Sequence, residues 1–244
     1  MKQFAMRSIY GIVGLAFLLV TLVTIDETGL ENRKTFENLH QSKPLHFTSE
    51  TKNAPETEMT TDDMQTMIKK LSVARSVLEE FWANEFAANS RRYYSPRLQV
   101  FRGSVNSACG TVSDAVYCTR DSTVYLNADF LYSQMENVSW RLGTDGDMAA
   151  IVVLAHEYGH HTQAQTGILF SRFQELNADC MAGAFTRYSA ARGVLDSDDI
   201  AEARNGLANN SEYSVWFNPN SHGTSIERMS AFDRGYSGGV GFCR

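Results

Sequence analysis

Ile151-Val152-Val153-Leu154-Ala155-His156-Glu157-Tyr158-Gly159-His160-His161 is an apolar run that leads directly into the pattern H-E-x-x-H. Residues four apart on a helix stand one above the other on the same face, so His156 and His160 can present two imidazoles to one metal ion. Zinc accepts neutral imidazole nitrogen, and a catalytic zinc usually has three protein ligands and one water. Glu157 follows His156 about 100° around the helix. Its carboxylate then falls beside the ion, where it can take a proton from the water. A solvated helix with surface histidines fits poorly, because Ile151 to Ala155 is continuously apolar. A buried helix does not carry two histidines and a glutamate without partners. His161, five residues after His156, lies off that face and is expected not to be a ligand.

This helix should start near Asp145 to Asp147, which offer caps and first-turn acid, and end at Gly167. A second helix is expected from about Leu169 to Arg192. In it Glu175 and Asp179 stand four apart on one face and would repel unless each has a cationic partner. A metal and a metal-bound imidazole supply such partners. Glu175 is therefore assigned as the third zinc ligand. Asp179 is assigned as the carboxylate that accepts N–H from a ligand histidine and fixes its tautomer.

A chain of 244 residues with 43% apolar content can bury one sizeable core, alone or with an appendage. Net charge is −6 and no basic stripe occurs, so nucleic-acid binding lacks electrostatic support. Lys2 and Arg7 precede an almost wholly apolar segment, Ile9 to Ile25, which ends at Asp26. Residues 1–26 read as a signal anchor or a cleaved signal peptide. Val-Thr-Ile before Asp26 lacks the small-x-small pattern of a cleavage site, which favours the anchor. The basic end then stays in the cytoplasm and the remainder is exported. Residues 27–60 read as a disordered polar linker. One domain is expected over 61–244.

Within that domain, residues 61–90 carry a core-facing helical stripe from Met64 to Phe86. Three short strands follow: Arg97 to Arg102, Ala115 to Cys118, and Thr123 to Leu126. Residues 128–142 return to helical spacing, and 194–209 read as a polar surface helix. Residues 210–221 read as a loop, and Ser221 to Thr224 opens a last helix. Four cysteines occur without C-x-x-C, so a zinc knuckle is not expected. Cys109 and Cys118 suit a local disulfide across a hairpin, and Cys180 with Cys243 one that ties the second metal helix to the C-terminal tail.

With H-E-Y-G-H, E-L-N-A-D-C and N-P-N-S-H-G-T in place, residues 60–244 resemble the neutral zinc metallopeptidase family of bacteria. The H-E-x-x-H helix followed by E-x-x-x-D looks like the gluzincin clan. That likeness implies an α+β zincin fold, mainly helical with a small β-sheet. It also implies zinc-assisted amide hydrolysis of a peptide or protein substrate, with Glu157 as general base. The resemblance further raises His222 as a donor to the developing oxyanion. Tyr158 and Tyr125 are lesser candidates for that role. Thr123 to Leu126 resembles the edge strand on which zincins extend a bound peptide. Two other readings compete: a chaperone or assembly module that kept a zinc site without peptidase activity, and a secreted soluble peptidase instead of a membrane-anchored one.

Overall fold

The computed structural model describes residues 58–167, 173–209 and 222–243. The expected N-terminal membrane helix, nearly all of the linker, the start of the second metal helix and the 210–221 loop lie outside the described residues. No described helix is long and apolar enough to cross a membrane.

Helix α1 (Thr61–Ala88) begins at a reciprocal cap: the Thr60 hydroxyl accepts the Asp63 N–H, and the Asp63 carboxylate accepts the Thr60 N–H. Met67, Leu71, Ala74, Leu78 and Phe81 recur at three and four, and all are buried. That stripe lies against helix α3 (Asp147–Thr166), which carries H-E-x-x-H, and forms one side of the core.

Strands β1 (Arg97–Phe101), β4 (Ala115–Cys118) and β5 (Thr123–Asn127) form a mixed sheet in the order β1-β5-β4, with β1 parallel and β4 antiparallel to β5. The strand expected at the edge, Thr123 to Leu126, is therefore the central one. All five residues of β5 are buried and both of its sides are paired, so it cannot accept another chain. A strand buried on both faces reads as a continuous apolar run, and Val124-Tyr125-Leu126 is one. The open edge next to α3 belongs to β4.

Strands β2 (Val105–Ser107) and β3 (Gly110–Val112) form a separate hairpin. The Cys109–Cys118 disulfide joins the tip of this hairpin to the end of β4, linking two sheets instead of closing one hairpin. Asn127 ends β5 and starts α2 (Ala128–Leu142): its Oδ1 accepts the Asp129 N–H, and its Nδ2 donates to the Gly103 and Ser113 carbonyls.

Helices α3, α4 (Gln174–Ala191), α5 (Asp199–Asn209) and α6 (Ser225–Gly238) complete the domain, with α4 packed along both α3 and α6. The N-cap of α3 is Gly146, without a side-chain cap, and not one of the neighbouring aspartates. Glu202 of α5 replaces it. Its two carboxylate oxygens accept the Gly146 and Met148 N–H groups at 3.0 and 3.1 Å. Glu202 and Ala203 are fully buried, and Leu207 nearly so. The expected surface helix is thus half core, because a capping carboxylate inside the fold must come from a neighbouring element.

Candidate metal centre

Three side-chain atoms converge where α3 meets α4. His156 Nε2 and His160 Nε2 are 3.0 Å apart, and Glu175 Oε2 is 3.2 Å from the first and 3.4 Å from the second. Ligands about 2.0–2.2 Å from a tetrahedral zinc stand roughly 3.3–3.5 Å from one another, so the donor set and its spacing fit the ion that H-E-x-x-H implies. The close approach of the two helices rests on Gly159. A Cβ there would sit 2.9 Å from the Ala178 Cα, so glycine lets the backbones meet between the histidines and Glu175.

Both histidines are held from behind. His156 Nδ1–H donates to Asp179 Oδ1 at 2.8 Å, which leaves Nε2 for the cluster. Gln163 Nε2 donates to the Gln174 carbonyl and to Asn177 Oδ1, so Gln163 Oε1 is the acceptor for His160 Nδ1–H at 3.0 Å. Asn177 Nδ2 in turn donates to the Cys243 carbonyl. Cys243 is bonded to Cys180 on α4. The disulfide therefore fixes the tail that fixes Asn177, Gln163 and finally His160.

Asp179 is fully buried and has a second partner, which the sequence did not point to. Arg228 of α6, only 2% exposed, donates through Nε to Oδ2 at 2.8 Å and through Nη2 to Oδ1 at 2.7 Å. Two helix glycines allow this reach. A Cβ on Gly235 would lie 1.8 Å from the Cys180 carbonyl oxygen, and one on Gly183 would lie 2.1 Å from that of Phe232. Burial alone would raise the Asp179 pKa, but Arg228 and then His156 override it and hold it below the usual carboxylate range. Burial likewise works against a charged His156, and Asp179 and Glu175 overcome it, raising its pKa to about 10. Glu175 is lowered: burial opposes ionisation, while His156 and His160 favour it more strongly.

Glu157 is buried, and its Oε2 accepts the Tyr117 N–H of β4 at 2.6 Å. The edge strand thus orients the carboxylate next to the His156–His160–Glu175 cluster. His222 Nε2 lies 3.7 Å from Glu175 Oε2, on a side chain about half exposed, at the edge of the cluster and not within it. His161 turns away, with Nε2 2.7 Å from the Tyr94 carbonyl oxygen and its ring against Tyr93 and Tyr117. Tyr158 is buried and donates to Glu79, and Tyr125 donates to Asp121; neither hydroxyl joins the cluster.

A second acidic group, Asp145, Asp147 and Glu202, has its charge answered already. Lys70 pairs with both aspartates, and Glu202 caps α3.

The family model described as "Putative neutral zinc metallopeptidase" matches residues 3–243. The chain belongs to this family. An Escherichia coli (strain K12) protein, YpfJ, described as uncharacterized, is 33% identical over 199 residues, or 70% of this chain and 68% of its own. A Mycobacterium bovis protein, Mb2605, also described as uncharacterized, is 30% identical over 187 residues, 60% of each chain. No solved structure matches.

Asp179, expected behind His156, stands there, whereas Gln163, Asn177 and Arg228 were not among the expected site residues. Asn177 lies within E-L-N-A-D-C and Gln163 three residues after H-E-Y-G-H, so their positions were a usable signal. Arg228 lies 49 residues from Asp179. Its one sequence signal is the pair of glycines inside α4 and α6, which mark a close helix crossing.

Proposed function

We propose that the chain is a zinc-dependent peptidase that hydrolyses peptide bonds, with His156, His160 and Glu175 as the metal ligands. The observation that carries this reading is the convergence of two imidazole nitrogens and one carboxylate oxygen within 3.4 Å, beside a glutamate fixed by an edge strand. When bound, zinc acidifies water and polarises a carbonyl. Asp179 and Gln163 hold the two imidazoles in the tautomer that offers Nε2. The Tyr117 N–H occupies Oε2 of Glu157, which leaves Oε1 to take a proton from water and return it to the departing amine. His222, at the rim, donates a hydrogen bond to the substrate carbonyl as charge builds on its oxygen. An extended peptide pairs with the open edge of β4, which brings its backbone past Glu157.

We also place the domain outside the cytoplasm, tethered by residues 1–26. All four cysteines are paired, and such bonds persist in oxidising compartments. Membrane fractionation with N-terminal sequencing of the mature chain checks this; a soluble chain beginning after residue 26 would overturn the anchor.

The test of activity is Glu157→Gln. It should bind zinc like the wild type and lose peptide hydrolysis by about a hundredfold or more. A wild-type, zinc-loaded chain that cleaves nothing in a broad peptide library would favour a binding module that kept the site.

A further inference from the structure

Strand β4 lies inside a covalent ring. The Cys109–Cys118 disulfide closes residues 109–118, a span that holds β3, the turn at Ser113 and Asp114, and the whole of β4. Asn127 pins the turn: its N–H donates to the Asp114 carbonyl at 2.8 Å and its Nδ2 to the Ser113 carbonyl at 2.6 Å. The disulfide pins the opposite end. Beside it, two exposed hydrogen bonds hold the hairpin tip to the turn between β4 and β5. The Ala108 N–H donates to Asp121 Oδ2 at 3.3 Å, and Arg120 donates to the Ala108 carbonyl at 3.1 Å. Water competes for such bonds, so the disulfide is the firmer of these ties.

Tyr117 stands immediately before Cys118. Its N–H is the donor that holds Glu157 Oε2 at 2.6 Å, on the open edge of β4 and not towards β5. The carboxylate next to the metal cluster is therefore aimed by a strand that is paired on one side and tied at its last residue by a disulfide. The two disulfides of the domain also differ in exposure. Cys109 is exposed, whereas Cys118, Cys180 and Cys243 are buried. A thiolate must reach a sulfur to open a disulfide, so access governs which one opens first.

We propose that Cys109 and Cys118 are positioning residues for Glu157, acting through Tyr117, and that a dithiol reductant opens their bond first and loosens Glu157 while the metal ligands stay in place. One thiolate of the reductant attacks Cys109 Sγ, forms a mixed disulfide and releases the Cys118 thiolate, which takes a proton. The second thiolate attacks the reductant sulfur of that mixed disulfide, and Cys109 leaves and is protonated in turn. The reductant ends as a disulfide, and two electrons have passed to the protein. Asp179, Gln163 and Asn177, which support the two histidines, lie on α3 and α4, outside the ring. The inference rests on Glu157 as the general base of the peptidase reading, and it makes hydrolysis a property of the oxidised chain.

The experiment uses the full chain in detergent. Graded dithiothreitol, then iodoacetamide, with alkylated cysteines mapped by mass spectrometry, should modify Cys109 and Cys118 at about a tenth of the concentration needed for Cys180 and Cys243. This singly reduced chain and Cys109→Ser/Cys118→Ala are then loaded with zinc and compared with the wild type far below the melting temperature. Deuterium exchange of the Tyr117 amide should speed about tenfold. On library peptides that the wild type cleaves, kcat should fall about tenfold. Zinc affinity should stay within about twofold. A bond that only stabilises the fold would lower the melting temperature and leave both rates unchanged. Should the double variant not fold, the reduced wild type carries the same expectations. If the wild type cleaves nothing, the peptidase reading fails, and amide exchange alone decides the positioning. Opening of Cys180–Cys243 first, unchanged exchange at Tyr117, unchanged kcat in a chain that hydrolyses peptides, or a loss of zinc affinity that matches the loss of rate would overturn the proposal.

Discussion

Replacing Asp179 by Asn tests how the metal cluster is supported. The side chain keeps its shape, and its amide oxygen can still accept from His156 Nδ1. The carboxylate that answers Arg228 is lost, however, and Arg228 stays buried with a side-chain amide in place of an ion. Removing one member of a buried ion pair costs about 3–5 kcal/mol. A domain of this size has about 5–15 kcal/mol to lose, so the variant should still fold. Loss of the charged partner of a ligand histidine should also weaken zinc binding about 10–100-fold, or roughly 1.4–2.8 kcal/mol. Urea unfolding in chelator measures the first effect, and competition against a chromogenic chelator the second. The double variant Asp179→Asn/Arg228→Met separates them. With neither charge of the pair left buried, most of the stability should return, because apolar replacement of a buried pair is often neutral. Zinc affinity should stay low. A single variant within about 1 kcal/mol of the wild type, or a double variant that recovers zinc affinity as well as stability, would refute the reasoning.

Asn177→Ala breaks the path from the Cys180–Cys243 tail through Gln163 to His160, and should weaken zinc binding about tenfold in the same competition assay. Reducing the disulfide should act in the same direction in the wild type and add little in the variant. Asp199 gives the pH dependence. Burial, together with Asp147, Asp196 and Glu202, outweighs the Asp196 N–H it accepts and raises its pKa from 3.8 to about 6. Its folded form prefers the proton, so its contribution to stability is complete below pH 3.8 and is lost as pH rises through 6. Asp199→Asn keeps an acceptor for that N–H and should leave stability unchanged near pH 4 while increasing it at pH 8, read by urea unfolding at both. An equal effect at the two pH values would show that ionisation is not the cause.

What the sequence revealed depended on local spacing. His156, Glu157 and His160 are set by one helix, and Glu175 with Asp179 by the next, so periodicity alone paired each set. The strands were legible as strands but not in their lateral order. Alternation reports which faces are buried and says little about which neighbours a strand has, so the edge position of Thr123 to Leu126 rested on resemblance alone. Arg228 ran against the usual exposure of arginine. The buried Asp179, 49 residues away, makes its place in the core favourable. Glu202 was hidden for the same reason: a capping carboxylate supplied by a distant helix looks, in sequence, like one more acid on a polar surface. Such long-range polar pairs leave no period to read. The interior glycines Gly159, Gly183 and Gly235 were the available trace of where helices come close enough to form them.

The decisive observation is the zinc K-edge absorption spectrum of the full chain loaded with one equivalent of metal, beside that of Glu175→Ala. The expected wild-type shell is two imidazole nitrogens and oxygen ligands, without sulfur, and one oxygen should be lost or replaced in the variant together with tight binding. An identical shell and affinity in the variant would contradict Glu175 as the third ligand, and with it the meeting of α3 and α4 around a single ion.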